Sequence, residues 1–216
     1  MSETKKMPIQ VYAESTPNPY TMKFVTNKML VNLSSNTYEF SGKEDSKNSQ
    51  LAQQLFTFPF VKSVFISSNF VTVAKYDNVP WDMITLELRE FVRDFLSSGK
   101  DALNEEAILQ QNESYVKGEN DENTPQPANL IANHKEPKND IESRIIELLE
   151  EYVRPAVEQD GGAIFFNSYD NGVVTLSLQG SCSGCPSSTM TLKNGIENLM
   201  KKMMPDEVNE VVALEA

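Results

Sequence analysis

The chain has 216 residues, 39% of them hydrophobic and 9% aromatic, and a net charge of −12 from 31 acidic against 19 basic side chains. That apolar content calls for a globular fold, and the acidic balance excludes a nucleic-acid or anionic-membrane surface as the main partner. No apolar run approaches the roughly 20 residues that span a bilayer, and one histidine, His134, with two cysteines, Cys182 and Cys185, leaves few groups for catalysis or metal binding.

The amino terminus, "MSETKKMPIQVYAES", lacks the apolar centre of a secretory signal and the Arg-rich, acid-poor character of a mitochondrial transit peptide, so a cytoplasmic location is expected. "IQVYAES", "MKFVT", "KMLVNLS" and "TYEFS" carry β-branched and aromatic residues between Pro, Asn and Ser turn signals and are predicted strands. A helix is predicted near "SQLAQQLFT", where Leu51, Leu55 and Phe56 fall at helical spacing. "VKSVFISS" and "FVTVAK" form a hairpin through the polar "SSN" link. In "WDMITLELREFVRDFLSS" the residues Ile84, Leu88, Phe91, Val92 and Phe95 make one apolar stripe behind Pro80, a helix-start signal. Residues 1–100 thus read as an α+β domain whose sheet faces are covered by two helices. It holds no catalytic cluster, and Trp81, at the start of an amphipathic helix, is a packing residue.

From Asp101 to Asp140 nine acidic residues stand against three lysines, half the formal charge in under a fifth of the chain. With "GENDENTPQPAN" at its centre, the segment 101–137 reads as an acidic flexible linker, His134 as one of its solvated residues and "NEEAILQQNESYV" as a short helix. A wholly flexible stretch of this length puts its ends about 35 Å apart, so the domains could visit each other without docking.

Residues 138–216 read as a second α+β domain. "NDIESRIIELLEEYVRPAV" opens on an Asn or Asp cap, presents Ile141, Ile145, Leu148, Leu149 and Tyr152 on one face, and is broken by "DGG". "AIFFNSY" and "VVTLSLQ" are strands joined by "DNG", a strong hairpin signal. After the cysteine loop a helix starts near Ser187, carries Leu192, Ile196, Leu199 and Met203, and stops at Pro205. "EVNEVVAL" is the last strand. The order is α-β-β-loop-α-β. Met190, Met200, Met203 and Met204 suit core packing or an interface better than a soft-metal site.

The loop "GSCSGCPSS" holds both thiols of the chain within four positions. In a reducing compartment such a pair is metal-binding or redox-active rather than a staple. The positive end of the following helix should lower the cysteine pKa values, and Gly180 and Gly184 let the backbone close around whatever the sulfurs hold. A zinc ion or iron–sulfur cluster normally takes four ligands, so either would need a second chain or exogenous thiols. A dithiol–disulfide oxidoreductase with Cys182 attacking needs only the pair, yet such sites belong to βαβ patterns and this loop follows a hairpin. Two buried cysteines acting as small apolar residues are the remaining reading, against which a Gly/Ser loop is poor core material.

"RPAVEQDGG" followed by "LQGSCSGCPSS" resembles the carboxy-terminal domain of the NifU/Nfu family of iron–sulfur cluster scaffolds and carriers. "AESTPNPYTMKF", "LFTFPFVKSVFIS" and "NFVTVAK" resemble the amino-terminal Nfu domain. The resemblance implies that Cys182 and Cys185 of each of two chains bind one [4Fe–4S] cluster, with [2Fe–2S] as the other occupancy, in a homodimer formed on cluster binding. It implies a carrier rather than an enzyme, served by a cluster donor scaffold and by recipient apo-proteins, with no nucleic acid or membrane partner. Delivery is then ligand exchange. The first domain, without chemistry of its own, is expected to dock targets or donors.

Overall fold

The computed structural model describes residues 7–32, 36–108, 110, 134–183 and 186–215. Period-two alternation builds its first half, where β1 (Val11–Ser15), β2 (Thr21–Thr26), β3 (Thr37–Phe40), β4 (Val61–Ser67) and β5 (Phe70–Lys75) form an antiparallel sheet in the order β1-β2-β5-β4-β3. Met22, Phe24, Tyr38, Phe40, Val64, Ile66, Val71 and Val73 are buried in one core with Leu51, Leu55, Ile84, Leu88 and Val92 of the helices α1 (Gln50–Leu55) and α2 (Trp81–Ser97). Both helices therefore lie on the same side of the sheet, not one on each face. The opposite side is left to the second domain.

Local signals act largely as their chemistry requires. Ser49 caps α1, its hydroxyl accepting from Ala52 N at 3.1 Å and donating to Ala102 O at 2.9 Å. Ser68, at φ 46°, turns the β4–β5 hairpin, and Trp81 Nε1 donates to Pro19 O at 2.8 Å, consistent with its packing role. "KMLVNLS" departs from expectation, because the amides of Leu30 and Val31 both donate to Ser68 O, at 2.8 and 3.1 Å. The segment crosses the hairpin end instead of pairing along a strand, and its residues 33–35 lie outside the described ones. Past position 100, Ala102, Leu103 and Ile108 remain in the first core. Of the expected short helix, residues 105–108 are helical, whereas 111–116 lie outside the described residues.

The second half opens with α3 (Asp140–Leu148). Asn139 Oδ1 accepts from Glu142 N at 2.9 Å while Glu142 Oε2 accepts from Lys138 N at 2.6 Å, a reciprocal cap. Instead of one continuous helix, a π-helical turn (Leu149–Val153) leads into α4 (Arg154–Gln159). Pro155 has no N–H for the carbonyl of Glu151, and the wider turn absorbs the lost bond. The wider turn also shifts the helical phase, so that Val153 is buried and Tyr152, expected on the apolar face, is 50% exposed.

β6 (Gly162–Asp170) and β7 (Val173–Gly180) pair antiparallel about Asn171 and Gly172, both at positive φ. α5 (Pro186–Met203) then returns the chain to β8 (Glu210–Glu215), which pairs parallel to β7. Ile164, Phe166, Leu176 and Leu178 from the strands share a second core with Ile145, Leu148, Val157, Ile196 and Met200 from the helices. The architecture is α+β throughout. Among the described residues no helix is long and apolar enough to cross a membrane.

His134 is not solvated. Its Nδ1 accepts from Phe166 N at 2.8 Å and its Nε2 faces Glu150 Oε1 at 2.5 Å, so the Nε2–H tautomer donates to the carboxylate. Arg154 joins the same carboxylate at 2.6 Å, and His134 with Arg154 holds Glu150 below the usual range against the opposing effect of burial. Lys135 N donates to Phe166 O at 3.0 Å, which ties the incoming chain to the edge of β6.

Candidate functional site

β7 ends at Gly180 and α5 begins at Pro186, so the cysteine loop bridges the carboxy end of a strand and a helix start, as its glycines and proline suggest. Backbone bonds fold it tightly: Cys182 N donates to Gln179 O at 3.4 Å and Ser183 N to Gly180 O at 3.3 Å. Ser181 Oγ donates to Asp160 O at 2.5 Å, fastening the loop to the "DGG" turn after α4. Thr189 Oγ1, from the first turns of α5, donates to Cys182 O at 3.1 Å. Cys185 lies outside the described residues.

Cys182 is 7% exposed and belongs to the second core, although a Gly/Ser loop looked like poor core material. Its place depends on an absent side chain, since a Cβ on Gly162 would stand 2.6 Å from Sγ and 2.7 Å from Gln179 O. The expectation of a lowered thiol pKa is reversed at this cysteine. Burial pushes it up to about 11, and Asp160 and Glu39 add to the rise while the Ser181 hydroxyl works against it. The first turns of α5 stand beside the loop, Thr189 Oγ1 reaching the Cys182 carbonyl, yet burial of the thiol prevails.

Glu39 comes from the first domain. It sits on β3 with Oε1 accepting from Gly180 N at 3.3 Å, and its other oxygen, Oε2, is buried without a partner among the described residues. Burial raises its pKa to about 7, moderated by the Gly180 amide. Glu39 is one member of a row laid straight across the sheet by register: Lys23 pairs with Thr72, Thr72 with Phe65, and Phe65 with Glu39. Lys23 Nζ donates to Glu158 O and Gln159 O, both at 3.0 Å, where the last carbonyls of α4 collect partial negative charge. Thr72 Oγ1 donates to Gly161 O at 2.7 Å, and Phe65 packs with Phe70, Ala163 and Phe165.

Asn18, 2% exposed on the β1–β2 connection, completes the contact. Its Nδ2 donates to Ser181 O and to Ser183 O, each at 3.1 Å, bracketing Cys182 from both sides. Beside the thiol lies a largely apolar cavity of about 400 Å³ lined by Pro17, Ala156, Val157, Asp160, Ser181, Cys182, Thr191 and Leu192. The domains are thus docked through the very loop expected to act, and Asn18, Lys23, Glu39, Thr72 and Asp160 escaped the sequence reading. Among the described residues, no three His, Cys, Asp or Glu side chains are grouped to hold a metal ion. Met200 and Met204 are core residues, whereas Met190 and Met203 are exposed, the latter against its expected place on the apolar face of the helix.

A family model described as "Scaffold protein Nfu/NifU N terminal" matches residues 11–99, and one described as "NifU-like domain" matches residues 145–212. The chain belongs to the NifU/Nfu family, with the amino-terminal and carboxy-terminal units in that order. Among curated relatives, the "NFU1 iron-sulfur cluster scaffold homolog, mitochondrial" of Drosophila willistoni is 37% identical over 196 residues, 91% of this chain and 61% of that protein. Its counterpart from Drosophila persimilis is 34% identical over 206 residues, 95% of this chain and 66% of that protein. This chain therefore spans less than two thirds of their length. A solution structure of a NifU-like protein from Saccharomyces cerevisiae matches 48% of this chain and 92% of its own at 27% identity and a TM-score of 0.42. The mitochondrial naming of the relatives overturns the cytoplasmic location expected from the amino-terminal composition.

Proposed function

We propose that this chain is an iron–sulfur cluster carrier in which Cys182 and Cys185 of each of two copies hold one [4Fe–4S] cluster as cargo. A donor scaffold supplies it, and recipient apo-proteins remove it as their thiolates replace these cysteines one at a time. The observation that supports this most is ligand number: the sequence has two cysteines, both in one loop, and a cluster takes four thiolates. Two copies meet the requirement, and a site divided between copies can be opened by separating them. The scaffold names of the relatives agree. The dithiol alternative asks Cys182 to be the attacking thiolate, whereas it is buried and its pKa is raised to about 11.

Anaerobic reconstitution with iron and sulfide tests the proposal. The expected product has the mass of two chains, iron and sulfide in the amounts of one [4Fe–4S] cluster, and a thiolate-to-iron charge-transfer band. Mössbauer spectra separate this from a [2Fe–2S] form. A Cys182→Ala chain that gains the same band and mass would rule the assignment out.

A further inference from the structure

The face of the first sheet that carries no helix is occupied by the cysteine loop and the turn beneath it. Its groups match what they meet. Lys23 takes the carbonyls at the end of α4, Thr72 the carbonyl of Gly161, and Glu39 the amide of Gly180. Gly180 has φ +64°, and a Cβ there would stand 2.9 Å from Phe65 Cδ1, so the strand end touches the aromatic member of the row directly. Asn18 then holds the carbonyls on either side of Cys182. These contacts reach the backbone of the two segments that shape the loop.

We propose that the first domain is an intramolecular cap for the cysteine loop: Asn18 and the row Lys23, Thr72, Phe65 and Glu39 hold the loop inward in the cluster-free chain and must release it before Cys182 can ligate a cluster shared with a second copy. In the docked arrangement Cys182 packs into its own core, and Asn18 fixes the peptide groups that would have to turn for Sγ to face outward. The surface meeting a partner copy and the surface meeting the sheet draw on the same loop, so docking and pairing compete. The release step rests on the carrier reading, whereas the capping itself does not.

Asn18→Asp tests the cap with little change of shape. Asp can keep the bond that Tyr20 N makes to Oδ1 at 3.0 Å, while a carboxylate oxygen replaces the amide nitrogen opposite two carbonyls. In full-length, metal-free, reduced protein carrying Cys185→Ser, alkylation of Cys182 by iodoacetamide is followed by mass spectrometry. The expected result is a rate at least about tenfold higher in Asn18→Asp, with faster hydrogen exchange at the Gly180 amide. The double variant Lys23→Met/Thr72→Val provides an independent opening should Asn18→Asp fail to fold. Equal alkylation and exchange in wild type and every folded variant would overturn the cap. With both cysteines restored, anaerobic loading should be faster in the opened variants; equal loading despite faster alkylation would overturn the release requirement. If neither protein takes up a cluster, the carrier reading fails and the alkylation result still decides the cap.

Discussion

The two faces of the amino-terminal sheet are made by the same strands and differ in every other respect. The helix-covered face, with Phe24, Tyr38, Phe40, Val64, Ile66, Val71 and Val73, is almost wholly apolar and belongs to the first core. The loop-covered face mixes Phe65 and Phe70 with Lys23, Thr72 and Glu39, and it binds backbone groups of another domain through directed hydrogen bonds. Apolar burial is non-directional and well suited to permanent packing. A face of polar groups loses less when exposed, because water can replace the bonds it gives up. One sheet thus combines a foundation with a detachable surface.

The largest contrast should come from truncation on the helix side. Phe24→Ala is expected to cost about 3–5 kcal/mol of global stability, measured by denaturant unfolding. Glu39→Gln acts on the other face and through pH. A carboxyl held at about 7 in the docked chain, against the ordinary 4.5 it regains when undocking returns it to water, favours the docked state fully below 4.5 and loses that contribution as pH rises through 7. Hydrogen exchange at Gly180, corrected for intrinsic rates, should therefore show docking weakening over that window by up to about 3 kcal/mol in wild type. In Glu39→Gln the dependence should vanish; an unchanged pH profile would dissociate Glu39 from docking. Lys23→Met keeps the apolar stem and deletes two charge-assisted bonds, and should loosen docking by about 2 kcal/mol in the same exchange assay. Thr72→Val, which removes a single neutral bond to Gly161, should cost about 1 kcal/mol. If either of these two variants lowers global stability as much as Phe24→Ala, the two faces are not different in kind.

Elements set by local chemistry were legible in the sequence. The Asn139 cap, the Asn171–Gly172 turn and the stripe Ile84, Leu88 and Val92 each act over a few residues, and each stands where expected. Those set by distant parts were not. Glu39 and Lys23 alternate with buried neighbours and so look like solvent positions of half-buried strands. The available signal was the uninterrupted run Val64, Phe65 and Ile66, which suits a strand buried on both faces. The phase shift at Tyr152 was latent in Pro155, whose missing donor must be accommodated within the preceding turn. Charge composition misplaced His134, since a polar stretch can still end on an ordered residue when one strand amide and one carboxylate await it. For the site, the loop's place between a strand end and a helix start was plain from its glycines and proline. The thiol environment was not, because burial of Cys182, with Asp160 and a carboxylate of the other domain beside it, depends on how the loop is packed.

The gap left by Gly162 gives the loop a mutational grammar. Any side chain there meets Cys182 Sγ and the Gln179 carbonyl together, so a larger residue at 162 must displace the sulfur as well as the strand end. Enlarging the cysteine position meets the same backbone from the other side. Neither site can drift alone: nothing smaller than glycine can stand at 162, and shrinking position 182 removes the thiol proposed to hold the cluster. The two positions, twenty residues apart in sequence and in contact in space, are therefore expected to resist substitution together.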